Sequence, residues 1–393
     1  MAVPYLESSS LTTPPQLPGR GQRQLAASKR PPRHAASSAS SSEQSASPPN
    51  SDLFSCFSNF QFDSKSGTDN PSWLSDIELT HHYTANAHRT LYSPCFHSHN
   101  ALQNDVPREG LSHPFLLHQV LAFSALHLAY LRPDFRHQHL IQASQHQGVA
   151  ISTMNSILAK PIMSSVFHAL YTSSIFVAIC AFATFPCCDR YNEAFRPVDS
   201  LVDIFVLIRG MHLLLRSSDE SLRQGPLKDL MIGCSCEPLE LDGYLEPLTS
   251  RLGELLSYLE HQTPMIEEDK RQTLIDTVVA FIGVIDKVFS NRRITPTPEL
   301  RVVFGWPMRL TSSYHALLRN GDPLALVVLS HYCVLLQSRE PKYWFFQGWT
   351  SALMEPIVKN VVGTIWEELI QWPLAAIEKD RAAAVKIPEI INN

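Results

Sequence analysis

From Pro161 to Pro186 the chain carries no Asp, Glu, Lys or Arg, and the centre of that stretch reads Ile175-Phe176-Val177-Ala178-Ile179-Cys180-Ala181-Phe182. Such a segment is either wrapped by other apolar surface or placed in lipid, where a span needs about 20 mainly apolar residues. Ser164, Ser165, His168, Thr172, Ser173 and Ser174 interrupt the run. Unpartnered hydroxyls are costly in hydrocarbon, so the segment reads as a buried central helix and no membrane span is expected. Covering it on all sides needs other apolar surface. The chain has it: 44% of its residues are hydrophobic and 18% charged, below the roughly 25% charged of ordinary domains.

The neighbouring segments repeat with helical period. A helix is expected from Ser75, which suits an N-cap before Asp76 and Glu78, to a stop at Pro94. A second is expected from Ser112 to Leu131, with Ser112 as cap and Pro114 in the first turn. A third spans about 133–159, and the uncharged segment is the fourth. Further helical runs fall at about 198–216, 244–260, 269–290, 308–319, 323–337 and 343–370. The interval 217–243 carries turn signals such as Gly225-Pro226 and Asp242-Gly243 and reads as an irregular connection. No strand alternation competes with the 3.6-residue period. The fold class is all-α, a large helical bundle over residues 73–393.

Residues 1–72 are read as a disordered Ser/Pro-rich arm. The first 50 residues contain eight prolines and eleven serines, too little bulky apolar surface to offset the entropy of ordering. Their five basic and two acidic residues give +3, which leaves −8 on the remainder of a chain of net charge −5. An acidic body repels DNA phosphate. Lys29, Arg30 and Arg33 form the densest basic patch and are the nuclear import candidates, with a plain solubilising tail as the alternative. Met1 to Gln16 contains no apolar core of a signal peptide.

The sequence carries no common catalytic pattern. There is no Gly-x-Ser-x-Gly elbow, no His-Glu-x-x-His and no Walker loop, so no catalytic residue, cofactor or enzymatic activity is assigned. The histidines are numerous, at 17. Cys95, His97 and His99, or His137 and His139, offer too few ligands for a closed zinc site, and no metal is assigned. His81 and His82, and His113, His118, His127 and His331 within apolar helices, read as packed and hydrogen-bonded. Cys187-Cys188 and Cys234-Ser235-Cys236 read as inert thiols. The adjacent pairs Glu267-Glu268 and Glu367-Glu368 point to different helix faces.

Three blocks carry a resemblance. The first runs Val106-Pro107-Arg108-Glu109-Gly110-Leu111-Ser112-His113-Pro114-Phe115-Leu116-Leu117-His118 and on through Leu121-Ala122-Phe123-Ser124-Ala125-Leu126-His127. The second is Pro323 to Leu336. The third is Trp344-Phe345-Phe346-Gln347-Gly348-Trp349, followed by Trp366 and Trp372-Pro373. In this order they resemble the regulatory domain of fungal zinc-cluster transcription factors, nearest the sterol uptake control subgroup, over about residues 75–375. The resemblance implies a helical, dimerising, effector-responsive module that holds an apolar ligand in its sterol-sensing members. The six-cysteine, zinc-binding DNA reader of that family has no counterpart here, since Cys56 is the sole cysteine before Cys95.

The expected function is that of a nuclear transcriptional regulator or co-regulator of a metabolic or secondary-metabolite gene set. Its partner would be a second copy of the chain or a zinc-cluster transcription factor, with no sequence-specific DNA binding of its own. An incomplete copy of a DNA-binding activator is the alternative, and a helical biosynthetic enzyme stands third. For a small apolar ligand the candidate residues are Tyr332, Trp344, Phe345 and Trp349, because a charge-poor Trp/Tyr cluster suits one. Core packing is the preferred role for the same rings.

Overall fold

A computed structural model describes residues 72–91, 99–230, 244–261, 266–290 and 298–385. The Ser/Pro-rich arm, the import candidates Lys29, Arg30 and Arg33, the paired Cys234 and Cys236, Cys56, Cys95 and His97 lie outside the described residues.

Among the described residues there is no strand and there are thirteen α-helices. They are α1 (Ser72–Ala85), α2 (Val106–Ser112), α3 (Pro114–Leu131), α4 (Arg136–Leu158), α5 (Phe167–Cys187), α6 (Pro197–Gln224), α7 (Leu245–His261), α8 (Glu268–Ser290), α9 (Pro298–Gly305), α10 (Ser312–Arg319), α11 (Pro323–Arg339), α12 (Trp349–Val361) and α13 (Gln371–Val385). Short 3-10 turns intervene, including Ala87–Leu91 and Trp344–Phe346.

The uncharged segment becomes α5, and it is buried from His168 to Cys187 on nearly every face. It packs against α3, α6 and the turn Trp344–Phe346. Both α3 and α5 are long and apolar enough to cross a membrane. In the fold, 72% and 83% of their most apolar stretches are buried inside the protein. The second half is organised by α11, buried from Leu324 to Arg339, with α12, α13 and α9 around it. Outer helices keep a single apolar stripe. On α7 it is Leu245, Leu248, Leu252, Leu255 and Leu259. The buried apolar side chains join into one core running from Leu79 to Ile377.

Local signals explain the helix starts. Asp322 caps α11 by accepting from the Leu324 and Ala325 amides, each at 3.1 Å, with Pro323 as the first helical residue. The same carboxylate pairs with Lys270 of α8. Thr311 caps α10 through the Tyr314 amide at 3.2 Å.

Four expected boundaries are corrected. Ser75 lies inside α1, which begins at Ser72, and its hydroxyl accepts from Gln142 of α4 at 2.6 Å. Ser112 closes α2 rather than capping α3, because the chain turns at His113 (φ −128°, ψ 82°) ahead of Pro114. The run 343–370 is not one helix. Gly348 (φ 84°) and Gly363 (φ 81°) take left-handed conformations that end regular hydrogen bonding. The expected irregular segment 217–243 is helical as far as Gln224, and 231–243 lies outside the described residues.

Gly348 is the tightest of these positions. It precedes α12, and its amide and that of Thr350 donate to the two carboxylate oxygens of Glu340, at 3.1 and 2.8 Å. A Cβ on Gly348 would stand 2.9 Å from Cε1 of Phe185. Gly348→Ala is therefore expected to lower stability by more than the roughly 1–2 kcal/mol of a left-handed non-glycine residue, read as a lower urea midpoint with an unchanged m-value. An unaltered midpoint would mean that the turn relaxes freely.

Candidate functional site

The candidate ligand residues fall into two aromatic groups: Trp344, Phe345 and Trp349 are linked ring to ring through Phe346 and Phe182, and Tyr332 stands apart. Trp344 rests on α3, with ring centroids 5.8 Å from Phe123, 5.2 Å from His127 and 5.2 Å from Tyr130. Its indole N–H donates to Thr90 Oγ1 at 3.1 Å. Tyr130 donates to Gln347 at 2.5 Å, so the segment is tied both to α3 and to the Ala87–Leu91 turn. Phe345 continues this nest toward Tyr343 and Phe346.

Trp349 packs near the C-terminal end of α5, against Phe182, Phe185 and Phe195 at 5.7, 5.1 and 5.9 Å, and Phe182 also meets Phe346 at 4.9 Å. Its indole N–H donates to the Phe182 carbonyl at 2.9 Å. The helical partner of that carbonyl would be the amide of residue 186, which is Pro186 and has no N–H. Trp349 thus supplies from across the core the hydrogen bond that α5 cannot make for itself.

Tyr332 belongs to a different nest with Phe205, Phe281 and Trp306, and its hydroxyl donates to the Val303 carbonyl at 3.0 Å. Among the described residues no ring pair joins Tyr332 to Trp344, Phe345 or Trp349. Tyr332 and Trp349 have no exposed surface, Phe345 retains 1% and Trp344 retains 7%.

The histidines form a second feature, one that spacing alone did not reveal. His82 Nε2 lies 3.0 Å from His127 Nδ1. His118 Nδ1 lies 2.9 Å from His146 Nδ1, whose Nε2 faces Asp76 at 3.3 Å. Glu109 accepts from His113 at 3.1 Å and from His168 at 2.7 Å. His331 donates to the Val327 carbonyl at 2.9 Å and stacks on Trp372. Burial holds His82, His127 and His331 down to about 4. His315 is held to about 4 by burial and then by Arg209 and Arg319.

Cys180, Cys187, Cys188 and Cys333 are free thiols. Burial pushes Cys188 up to about 11 and the other three higher still, so they are poor nucleophiles near neutral pH. Glu267 and Glu268 are solvent-facing, and Glu367 accepts from the Gly363 amide at 2.9 Å.

An all-helical body with an apolar centre threaded by aromatic rings and paired histidines defines the chain's class by architecture. The chain is similar to Sterol uptake control protein 2 of Saccharomyces cerevisiae, at 21% identity over 289 residues, covering 72% of this chain and 30% of that protein. It is also similar to Sterol uptake control protein 2 of Candida albicans, at 39% identity over 54 residues, covering 14% of this chain and 8% of that protein. The chain thus matches less than a third of the length of these relatives. No protein-family model matches it.

Two outcomes follow from the geometry. Trp349→Ala removes a buried indole and is expected to cost roughly 3–5 kcal/mol. Trp349→Phe keeps most of the packing but strands the Phe182 carbonyl, at about 1–3 kcal/mol. Restoring the amide with Pro186→Ala should shrink the second penalty. Equal penalties in both backgrounds of this double-mutant cycle would show that the indole bond contributes nothing.

The buried histidines make the fold sensitive to acid. In the unfolded chain their rings take a proton near pH 6.5, whereas in the fold four of them resist down to about 4. The unfolded state therefore binds more protons between those values, and stability falls as pH drops through that window. Urea midpoints measured from pH 7.5 to pH 4.5 (roughly bracketing the titration) should decline steadily. A flat profile is the contrary result.

Proposed function

We propose that the chain is a transcriptional regulator whose helical body contacts partners and effectors. The observation that carries this reading is the similarity to Sterol uptake control protein 2 of Saccharomyces cerevisiae through 72% of the chain. A match of that extent has to run through the helical body, because the arm before Ser72 is far shorter. A charge-poor bundle presents contact surface at little desolvation cost, which suits a module that works by binding.

In this reading the protein acts in the nucleus, entered by way of Lys29, Arg30 and Arg33, on a metabolic or secondary-metabolite gene set. The sequence contains no six-cysteine stretch, so base reading falls to a partner: a zinc-cluster transcription factor, alone or contacted by a pair of these chains. If the sequence is a piece of a longer activator, the reader belongs to the remainder. The relatives' name points to a sterol-like effector, a small apolar molecule. Of Tyr332, Trp344, Phe345 and Trp349, Trp344 is the first candidate to meet it, being the most exposed of the four.

The test tethers the full chain to a reporter promoter through a heterologous DNA-binding domain. Expression is expected to change several-fold, in a direction that defines activator or repressor, and co-purification from nuclear extract should recover a zinc-cluster protein or a second copy. Joint replacement of Lys29, Arg30 and Arg33 by Ala should shift the untethered chain to the cytoplasm. A nuclear, folded chain that leaves the reporter unmoved would defeat the reading.

A further inference from the structure

Three side chains of differing sequence position converge where α2 ends and α5 begins. Glu109 and His113 stand one turn apart, and His168 is the second residue of α5. One carboxylate oxygen of Glu109 lies 3.1 Å from His113 Nε2 and 2.7 Å from His168 Nε2. All three atoms lie within 4.8 Å of one another. The two imidazoles meet edge to face at 5.3 Å. Side-chain exposure is 18% for His113, 19% for Glu109 and 8% for His168, so the cluster is sheltered yet open to solvent on one side.

Two structural details hold this arrangement. Gly110 allows α2 to lie against the start of α3, since a Cβ there would come within 3.1 Å of the Leu117 Cα. The His113 amide donates to the Glu109 carbonyl at 3.0 Å, which keeps the two side chains on the same face.

We propose that Glu109, His113 and His168 form a binding site for a divalent transition-metal ion of the zinc class. Two imidazole nitrogens and one carboxylate oxygen are the donors that zinc takes in sites with three protein ligands and one open position. Calcium and magnesium prefer all-oxygen shells. Bonds of about 2.0–2.2 Å to a tetrahedral ion set neighbouring donors roughly 3.3–3.5 Å apart, so Glu109 has to draw back from His168 (2.7 Å) by about 0.6–0.8 Å and from His113 (3.1 Å) by a few tenths of an ångström, while the two Nε2 atoms, within 4.8 Å of each other, settle to the same spacing. Each ring then carries its proton on Nδ1 and presents the Nε2 lone pair, and a water completes the shell. The ion replaces two hydrogen bonds with three coordinate bonds and pins the first turn of α5 to α2. Among the described residues no other histidine group shows this convergence. In the His118–His146–Asp76 chain the two ring nitrogens of His146 face opposite partners, and His82 and His127 bring only two donors together.

The test is a titration of the purified, metal-free full chain with cobalt(II) and zinc. One equivalent of cobalt should produce visible absorption of tetrahedral or five-coordinate type, bleached by zinc, and zinc should raise the thermal midpoint. His168→Ala and Glu109→Gln should each remove the absorption and the thermal shift, whereas His118→Gln should retain both. Far-UV circular dichroism of the metal-free variants checks that they fold; a His168→Gln variant replaces His168→Ala should the latter unfold. Two results overturn the proposal: no binding at millimolar metal, or binding that survives unchanged in folded Glu109 and His168 variants.

Discussion

A helix without a charge has to be covered on every side, and α5 sets that demand on the rest of the chain. Its cover comes from α3, α6 and the turn Trp344–Phe346. Burial of this kind is non-directional and would tolerate several arrangements of the covering helices. What selects one is polar. Pro186 frees the Phe182 carbonyl within an apolar core, where an unmade hydrogen bond is costly, and the Trp349 indole answers it at 2.9 Å. That bond places the start of α12. The left-handed Gly348 and the Glu340 carboxylate, which receives the Gly348 and Thr350 amides, hold it there.

The same logic governs the histidines. A ring that pairs with another ring, as His82 does with His127, satisfies two polar atoms at once and remains neutral at the pH of the cell. The pairs lie between helices rather than along one, so each also fixes the relative rotation of its two helices. The Glu109 cluster differs in kind. Its three donors point at a common place from two helices, whereas a purely structural pair needs only a donor facing an acceptor.

In the proposed reading as a regulator, a protein built this way acts through contact. Its buried aromatic rings are committed to one another, and their N–H and O–H groups to backbone carbonyls or to Thr90 and Gln347. Any apolar effector has to compete with that packing. The nest around Trp344 is the place where the competition is easiest, because one edge of the indole reaches solvent.

Much of the fold was readable in the order of residues. The helical period, the depletion of charge in 161–186 and the signals at Pro323 and Pro114 are local properties, and local sterics and hydrogen bonding act on neighbours in the chain. They were enough to assign an all-helical body and the burial of its central helix. The cap assigned to Ser112 and the unbroken run 343–370 were misread because a turn at His113 and a positive φ at Gly348 and Gly363 depend on what packs against them. Tyr332, Trp344, Phe345 and Trp349 stand out in the sequence as a charge-poor Trp/Tyr/Phe set, but the separation of Tyr332 from the other three was not visible there. Neither were the partners of Tyr130 and Trp344, which lie 217 and 254 residues away. Convergence of Glu109, His113 and His168 is of the same sort: the i,i+4 pair was there to be seen, and its third member is 59 residues from Glu109. Periodicity and charge decide what forms and which face is hidden; only the closing of the bundle decides which distant atoms meet, because that choice is made by packing three-dimensional shapes.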